Sequence, residues 1–279
     1  MSFVRGPGAG DGARPGQLPE YLDRLRFPAD PWRLTESFCD TSDLGTTETL
    51  FAVGNGYLGM RGNVEEGNDA HSHGTFINGF HESWPIRHAE EAFGLARVGQ
   101  TIVNVPDAKL MRLFVDDEPL LLSVADLITY ERTLDFAEGV LTRDLLWRTP
   151  AGNRVHVRSR RMVSFTQRHL ALLTLEVTVL DRAVPVAVTS HILNRQDGLD
   201  EYRTSFADPG AADPRKAELF TGRVLQPVEH FDGDNRALLG YRCANSGMTL
   251  AVGADHQIET ENEYELLTEV EEDSAKYIY

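Results

Sequence analysis

The residues whose types and spacing could do chemistry are concentrated between positions 48 and 84 of this 279-residue chain. Gly54-Asn55-Gly56-Tyr57-Leu58-Gly59 spells the G-x-G-x-x-G pattern of a dinucleotide loop. Such a loop needs a helix opening directly behind it, within a βαβ unit, and an acidic residue about 20 positions on. Met60-Arg61-Gly62-Asn63 follows instead, and no parallel α/β alternation develops downstream. The cofactor-loop reading is therefore rejected, and no cofactor is expected. Glu65-Glu66 is a second candidate, because cleaving a glycosidic bond with inversion takes two carboxyl groups about 6.5–9.5 Å apart. Adjacent residues in a turn point apart, so the pair reads as a solvated acidic loop. Asp69, His71 and His73 have a spacing that a metal site could use if strand neighbours faced one way. Without cysteines nearby they read as surface histidines, and no metal is expected. No G-x-S-x-G elbow is present, and neither Cys39 nor Cys243 sits in a nucleophile context.

The stronger candidates are polar and aromatic groups around the glycines: Asn55, Tyr57, Arg61, Asn78 and Trp84. Sugar sites set aromatic faces against C–H surfaces and amide or guanidinium groups against hydroxyls. These five are therefore the expected substrate-binding residues. A competing reading has Asn55 and Arg61 satisfying buried backbone groups in a tightly wound turn, and for these two it is the stronger.

Those side chains depend on the backbone of residues 48–67, where Gly54, Gly56, Gly59, Gly62 and Gly67 punctuate an apolar run. A glycine every two or three residues reads as tight turns and close crossings, not as a regular helix or ordinary strand. Residues 1–16, rich in Gly, Pro, Ala and Arg, read as a disordered tail, leaving 17–279 as one domain. Residues 71–99 read as irregular, and 194–218 as a long polar loop. From residue 101 onward, β-prone runs alternate with turn chemistry: 110–115, 128–136, 140–148, 154–165, 170–179, 184–192, 223–231, 237–243 and 248–253. Period-2 alternation is clearest in 170–179, where Leu173, Leu175, Val177 and Val179 share one face. The expected class is all-β, a large antiparallel two-sheet sandwich with little helix.

Composition narrows the partners. A net charge of −16 argues against nucleic acid and anionic membrane, which need clustered Lys and Arg. No apolar run approaches the ~18 residues of a membrane span. The N-terminus lacks an apolar signal core, so the cytoplasm is the expected compartment.

Residues 48–62, ETLFAVGNGYLGMRG, resemble the N-terminal domain of family 65 glycoside hydrolases, the group of maltose, trehalose and kojibiose phosphorylases and related acid trehalases. Further blocks agree in order and spacing: 74–80, IVNVP at 102–106, RTLDFAEGVLTR at 132–143, 160–165, TSHILNRQDG at 189–198 and TENEY at 260–264. The resemblance spans roughly residues 31–279. It implies a β-super-sandwich followed by a helical linker and an (α/α)₆ barrel beyond Tyr279, with the general-acid glutamate in that barrel. On this expectation the chain holds no catalytic residue and is inactive alone. Its partners would be its own barrel, an α-linked glucose disaccharide, inorganic phosphate as co-substrate in a phosphorylase, and a second copy in a homodimer. The alternative is a free-standing carbohydrate-binding or interaction module of the sandwich type.

Overall fold

The structure is a computed structural model that describes residues 22–67, 73–86, 88, 90, 92–194, 224–233, 235–273 and 276–278. The 1–16 tail, Asp69, His71 and nearly all of the 194–218 loop lie outside these residues. The chain enters through β1 (Arg33–Glu36), a 3₁₀ turn and the helix α1 (Leu44–Leu50). The glycine-rich stretch gives β2 (Val53–Gly54) and β3 (Leu58–Met60), followed by β4 (Thr75–Pro85) and β5 (Val98–Asn104). Next come β6 (Asp107–Val115), β7 (Glu118–Pro119), β8 (Asp126–Asp135), β9 (Val140–Arg148), β10 (Arg154–Val163) and β11 (Ala171–Val179). The remainder is β12 (Val186–Leu193), β13 (Leu225–Gly233), β14 (Arg236–Cys243), β15 (Thr249–Asp255), β16 (Glu271–Asp273) and β17 (Lys276–Ile278).

Among the described residues every ladder is antiparallel, and hydrogen bonding groups the strands into four sheets. Sheet I is β1-β8-β9-β10-β11, sheet II β16-β17-β12-β6-β7, sheet III β13-β14-β15 and sheet IV β2-β3-β4-β5. The all-β antiparallel sandwich class holds. Sheet I packs on sheet II through Leu145, Trp147, Val155 and Val157 against Leu113 and Val115. A second core sets Leu134, Leu141 and Val163 of sheet I against Phe51, Val53, Leu58 and Met60. A third joins Phe80, Val103 and Ile192 to Leu225, Leu239 and Tyr241 of sheet III. The inward face of β11 carries Leu175, Val177 and Val179, as the alternation predicts. Among the described residues no helix is long and apolar enough to cross a membrane.

Two segments differ from the sequence expectation. The stretch expected to be irregular contains β4, eleven residues long. Its alternation is hidden because an acidic residue, Glu82, takes an inward position and is fully buried. Glu82 accepts hydrogen bonds from the backbone N–H groups of Ser83 (2.8 Å), Asn245 (2.9 Å) and Ser246 (2.6 Å), which replace the water it gives up. The helix α1 is also unannounced, since LGTTETL is a poor helix former. It is held by tertiary contact: Thr47 and Glu48 are buried, and the Glu48 carbonyl accepts from Gly62 N at 2.7 Å.

The expected close crossing lies where Gly62 meets Phe51. A Cβ on Gly62 would stand 2.6 Å from Phe51 Cβ and 2.7 Å from its carbonyl, whereas one on Gly59 would meet nothing within 4 Å. Gly62→Ala is expected to cost about 1–3 kcal/mol through forced displacement of backbone. Gly59→Ala is expected to stay within about 0.5 kcal/mol of wild type. Urea denaturation of the two variants side by side checks this, and equal losses would refute the crossing as the reason for the glycine.

Candidate functional site

Three of the five residues singled out for sugar contact come together at the β2–β3 hairpin. Asn55 shapes its turn: Oδ1 accepts from the backbone N–H groups of Tyr57 (2.9 Å) and Leu58 (2.8 Å). The amide of Asn55 donates to the carbonyls of Ser164 (2.6 Å) and Arg168 (3.1 Å), tying the hairpin to the β10–β11 turn. Asn78 braces it from β4, donating N–H to Tyr57 O at 2.8 Å and Nδ2–H to Gly56 O at 3.1 Å. This is an antiparallel hairpin where a dinucleotide loop would need strand, turn and helix.

The Tyr57 ring is half-buried and clasped from the same turn. The Arg168 guanidinium lies 4.8 Å from its centroid, and the His169 ring meets it edge-on at 4.6 Å. Both partners are exposed, and Arg168 Nε donates to His169 Nε2 at 3.0 Å, so the hairpin presents an aromatic ring with a guanidinium and an imidazole beside it. Arg168 and His169 were missed in the sequence, where nothing ties the 164–170 turn to Asn55.

Arg61 and Trp84 are not part of this cluster. Arg61 Nη2 donates to the Gly45 carbonyl (3.2 Å) and reaches Glu48 Oε2 (3.5 Å). Gly74, at φ +40°, is packed against the Arg61 stem. That guanidinium fastens the loop to α1. Trp84 is seven residues beyond Ile77, the partner of Leu58, so it stands roughly 20 Å further along β4, with its ring on Gly99.

Beneath the glycine-rich loop lies a band of buried charge. Arg132, Arg143 and Arg161 project from β8, β9 and β10 and are all buried. Arg132 and Arg143 are direct cross-strand partners, an arrangement of like charges that destabilises a sheet unless it is compensated. The loop supplies the compensation. Arg143 binds Glu66 through two parallel bonds of 2.7 and 2.5 Å and lies 3.0 Å from Glu65. Arg161 donates to Glu65 (2.8 Å) and to the carbonyls of Asn63 (2.9 Å) and Arg61 (3.0 Å). Arg132 donates to the Gly62 carbonyl and lies 4.6 Å over the Phe51 ring. Alongside, Arg26 pairs with Glu36 at 2.6 Å, and Tyr130 donates to the same carboxylate at 3.1 Å.

This corrects the expectation of a solvated Glu65-Glu66 loop. The two carboxylates are 5% and 3% exposed and converge on one guanidinium. Burial pushes Glu65 upward, but Arg143, Arg161 and Arg132 outweigh it and lower it from 4.5 to about 2. For Arg143, burial works against the charge, and Glu66 and Glu65 more than restore it.

His73 lies 3.4 Å from Asp107, whose carboxylate also pairs with the buried Lys109 at 2.8 Å. Burial pushes Asp107 up, but Lys109 and His73 hold it well below the carboxylate range. Among the described residues no three His, Cys, Asp or Glu side chains gather as metal ligands would. Cys39 and Cys243 are free thiols, each pushed up to about 11, chiefly by burial. At neutral pH both are protonated and poor nucleophiles.

The depressed Glu65 sets a pH window. A carboxyl whose folded-state pKa lies below its unfolded value contributes stability above about 4.5 and loses it as pH falls toward about 2. The thermal midpoint is therefore expected to fall across that window. Glu65→Gln is expected to be about 3–5 kcal/mol less stable at neutral pH, because it leaves buried arginines under-compensated, and to fall less steeply in acid. Thermal melts from pH 7 to pH 2 check both, and an unchanged acid slope in the variant would contradict the assignment.

Comparison with known proteins places these features. The family described as "Glycosyl hydrolase family 65, N-terminal domain" matches residues 34–279. An uncharacterized glycosyl hydrolase of Mycobacterium leprae is 37% identical over 90% of this chain and 30% of its own length. The alpha,alpha-trehalose phosphorylase of Thermoanaerobacter brockii is 28% identical over 90% of this chain and 32% of its own. The kojibiose phosphorylase of Escherichia coli K12 is 32% identical over 58% of this chain and 20% of its own. A kojibiose-phosphorylase-like structure from the human microbiome shares the fold, with a TM-score of 0.69 over 91% of this chain, at 16% identity and 30% coverage of that chain. The chain thus spans about 30% of the length of the first relatives it matches. It belongs to glycosyl hydrolase family 65, whose N-terminal domain it matches.

Proposed function

We propose that the chain is the non-catalytic N-terminal domain of an inverting enzyme that splits an α-linked glucose disaccharide, by phosphorolysis or by hydrolysis. The family match over residues 34–279 carries this reading, and the relatives named as trehalose and kojibiose phosphorylases support the substrate class. Inorganic phosphate is then the co-substrate of the phosphorylase form. The catalytic acid belongs to an (α/α)₆ barrel beyond Tyr279, on which this sandwich rests, and the full-length enzyme is a cytoplasmic homodimer.

The carboxyls whose ionisation the fold shifts are tuned toward ion pairing and hydrogen bonding. A general acid needs a carboxyl held protonated near neutral pH. Every described carboxyl with a resolved shift moves the opposite way. Hydrogen bonds lower Asp40, Asp135 and Asp181. At Glu65, Asp107 and Asp144 burial pushes upward and is outweighed by ion pairs and hydrogen bonds.

The domain's contribution to the pocket comes from the hairpin tip. Tyr57 and Asn78, with Arg168 and His169, form a wall of the pocket, offering a ring face to sugar C–H surfaces and donors to hydroxyls or phosphate. Asn55 holds the hairpin in shape, Arg61 fastens the loop behind it to α1, and Trp84 extends the surface further along β4.

Turnover of maltose, trehalose, kojibiose and nigerose, with and without phosphate, tests the reading in the full-length protein and in residues 1–279. Activity confined to the full-length protein is expected, and turnover by residues 1–279 would overturn it. In the full-length enzyme, Tyr57→Ala is expected to raise KM for the disaccharide about tenfold, the equivalent of ~1.4 kcal/mol of binding. Wild-type KM in that variant would remove the hairpin from the pocket.

A further inference from the structure

Among the described residues, β12 has one side without a neighbouring strand over most of its length. Sheet II runs β16-β17-β12-β6-β7, but β17 meets β12 only at its end, where Ile278 pairs with Leu193. Along residues 186–190 the ladder runs to β6 alone. In an antiparallel ladder every second residue turns its N–H and C=O away from its partner. This stretch therefore directs a row of backbone groups at the place of a further strand.

The side chains point the same way. Val186 and Val188 stand opposite Val115 and Leu113, and cross-strand partners share a face. Val115 and Leu113 are buried in the core between sheets I and II, yet Val186 and Val188 are 43% and 48% exposed. The apolar face of sheet II thus runs out of cover at β12. On sheet I the end strand β11 is in the same state, since its Leu175, Val177 and Val179 join that core only half-buried. Composition separates this edge from the others. Edges that meet water are blunted by charge, proline or brevity. Both ends of sheet II obey this, β16 being the triplet EED and β7 the pair Glu118-Pro119. Val186-Ala187-Val188-Thr189-Ser190 is uncharged and rich in β-branched residues, the composition of a paired strand.

Register identifies the occupant. β17 enters the sheet antiparallel to β12, so the chain leaving Ile278 points along the uncovered side. Each residue forward on β17 moves one residue back on β12, and about seven residues past Ile278 reach Val186. We propose that the strand begun by β17 continues through Tyr279 and about six further residues of the full-length polypeptide, pairing with β12 and completing sheet II. This rests on the reading above that the protein continues into a further domain, as the 30% coverage of its relatives supports. The added residues opposite Val186 and Val188 share their inward face and are apolar, and those between them face solvent. The sandwich then extends past Tyr279, and the path to the next domain leaves from the Val186 end of β12.

Amide hydrogen exchange of the full-length protein, read by mass spectrometry, tests the proposal. Peptides covering residues 186–190 and the stretch just after Tyr279 are expected to exchange slowly together, as paired strands do. Proline is then placed, in separate variants, at the two successive added positions that fall opposite Val188 and Ala187. Each removes a ladder donor, and one of the two removes a bond to β12. That variant is expected to speed exchange in residues 186–190 about tenfold while β9 and β10 keep theirs. If the proline variants do not fold, replacing the added stretch by Gly and Ser gives the same readout. Exchange of residues 186–190 at the solvent rate in the folded wild type overturns the proposal. Slow exchange that no variant alters means that another segment covers the edge, and slow exchange that depends on protein concentration means that a second copy does; either refutes it. Disaccharide turnover is measured separately, so an inactive protein with a paired edge fails only the functional reading, and an active one with an open edge fails only this one.

Discussion

Three arginine side chains inside a β-sandwich are the constraint on which the rest depends. An ionised group removed from water costs several kcal/mol unless charge and hydrogen bonds replace its hydration. Arg132, Arg143 and Arg161 sit between the two apolar halves of the inner face of sheet I, with Leu145 and Trp147 on one side and Leu134 and Val163 on the other. Among the described residues, the segment 61–66 meets them with three backbone carbonyls and two carboxylates, and the Phe51 ring lies over Arg132. That demand explains why the loop lies flat on the sheet and why it needs glycine at position 62 beside Phe51. The same segment runs back into β2 and β3, so the band sets where the Tyr57 hairpin emerges. Structure and candidate site share one anchor.

The domain thereby separates a rigid base from the candidate site. Charged groups beneath the loop are buried and mutually bound, while Tyr57, Arg168 and His169 meet solvent at the hairpin tip. A binding surface built on a rigid hairpin loses little ordering entropy when a ligand arrives. The inner side of sheet I is committed to the arginine band, and its outer side carries solvent-exposed pairs such as Arg158 with Asp144.

Most strands were legible because one apolar face imposes a period of two, as in β9, β10 and β11, where expected and observed bounds nearly coincide. The glycine spacing announced a close crossing, and Phe51 on Gly62 is that crossing. What escaped were the places where a polar residue takes an inward position. Glu82 obscured β4, and Glu65-Glu66 looked solvated because their partners lie 77 to 96 residues away. A signal was nonetheless present. Arg143 falls in phase with Leu141 and Leu145, and Arg161 with Val157 and Val163, so each arginine occupies an apolar register position of a strand that was itself recognised. A charged residue on the apolar phase of a buried strand asks for a carboxylate elsewhere in the chain. The cluster at the hairpin was only half legible, since Arg168 and His169 are placed by tertiary packing that no local pattern encodes.

The most direct test of this account is a double-mutant cycle between Glu66 and Arg143, measured by urea denaturation of wild type, Glu66→Gln, Arg143→Met and the pair. If the buried band holds the loop, the double variant loses far less stability than the two single losses combined, with a coupling of about 1–3 kcal/mol. Losses that add to within about 0.5 kcal/mol would mean that the two side chains do not depend on each other, and that something other than the arginine band anchors the glycine-rich loop.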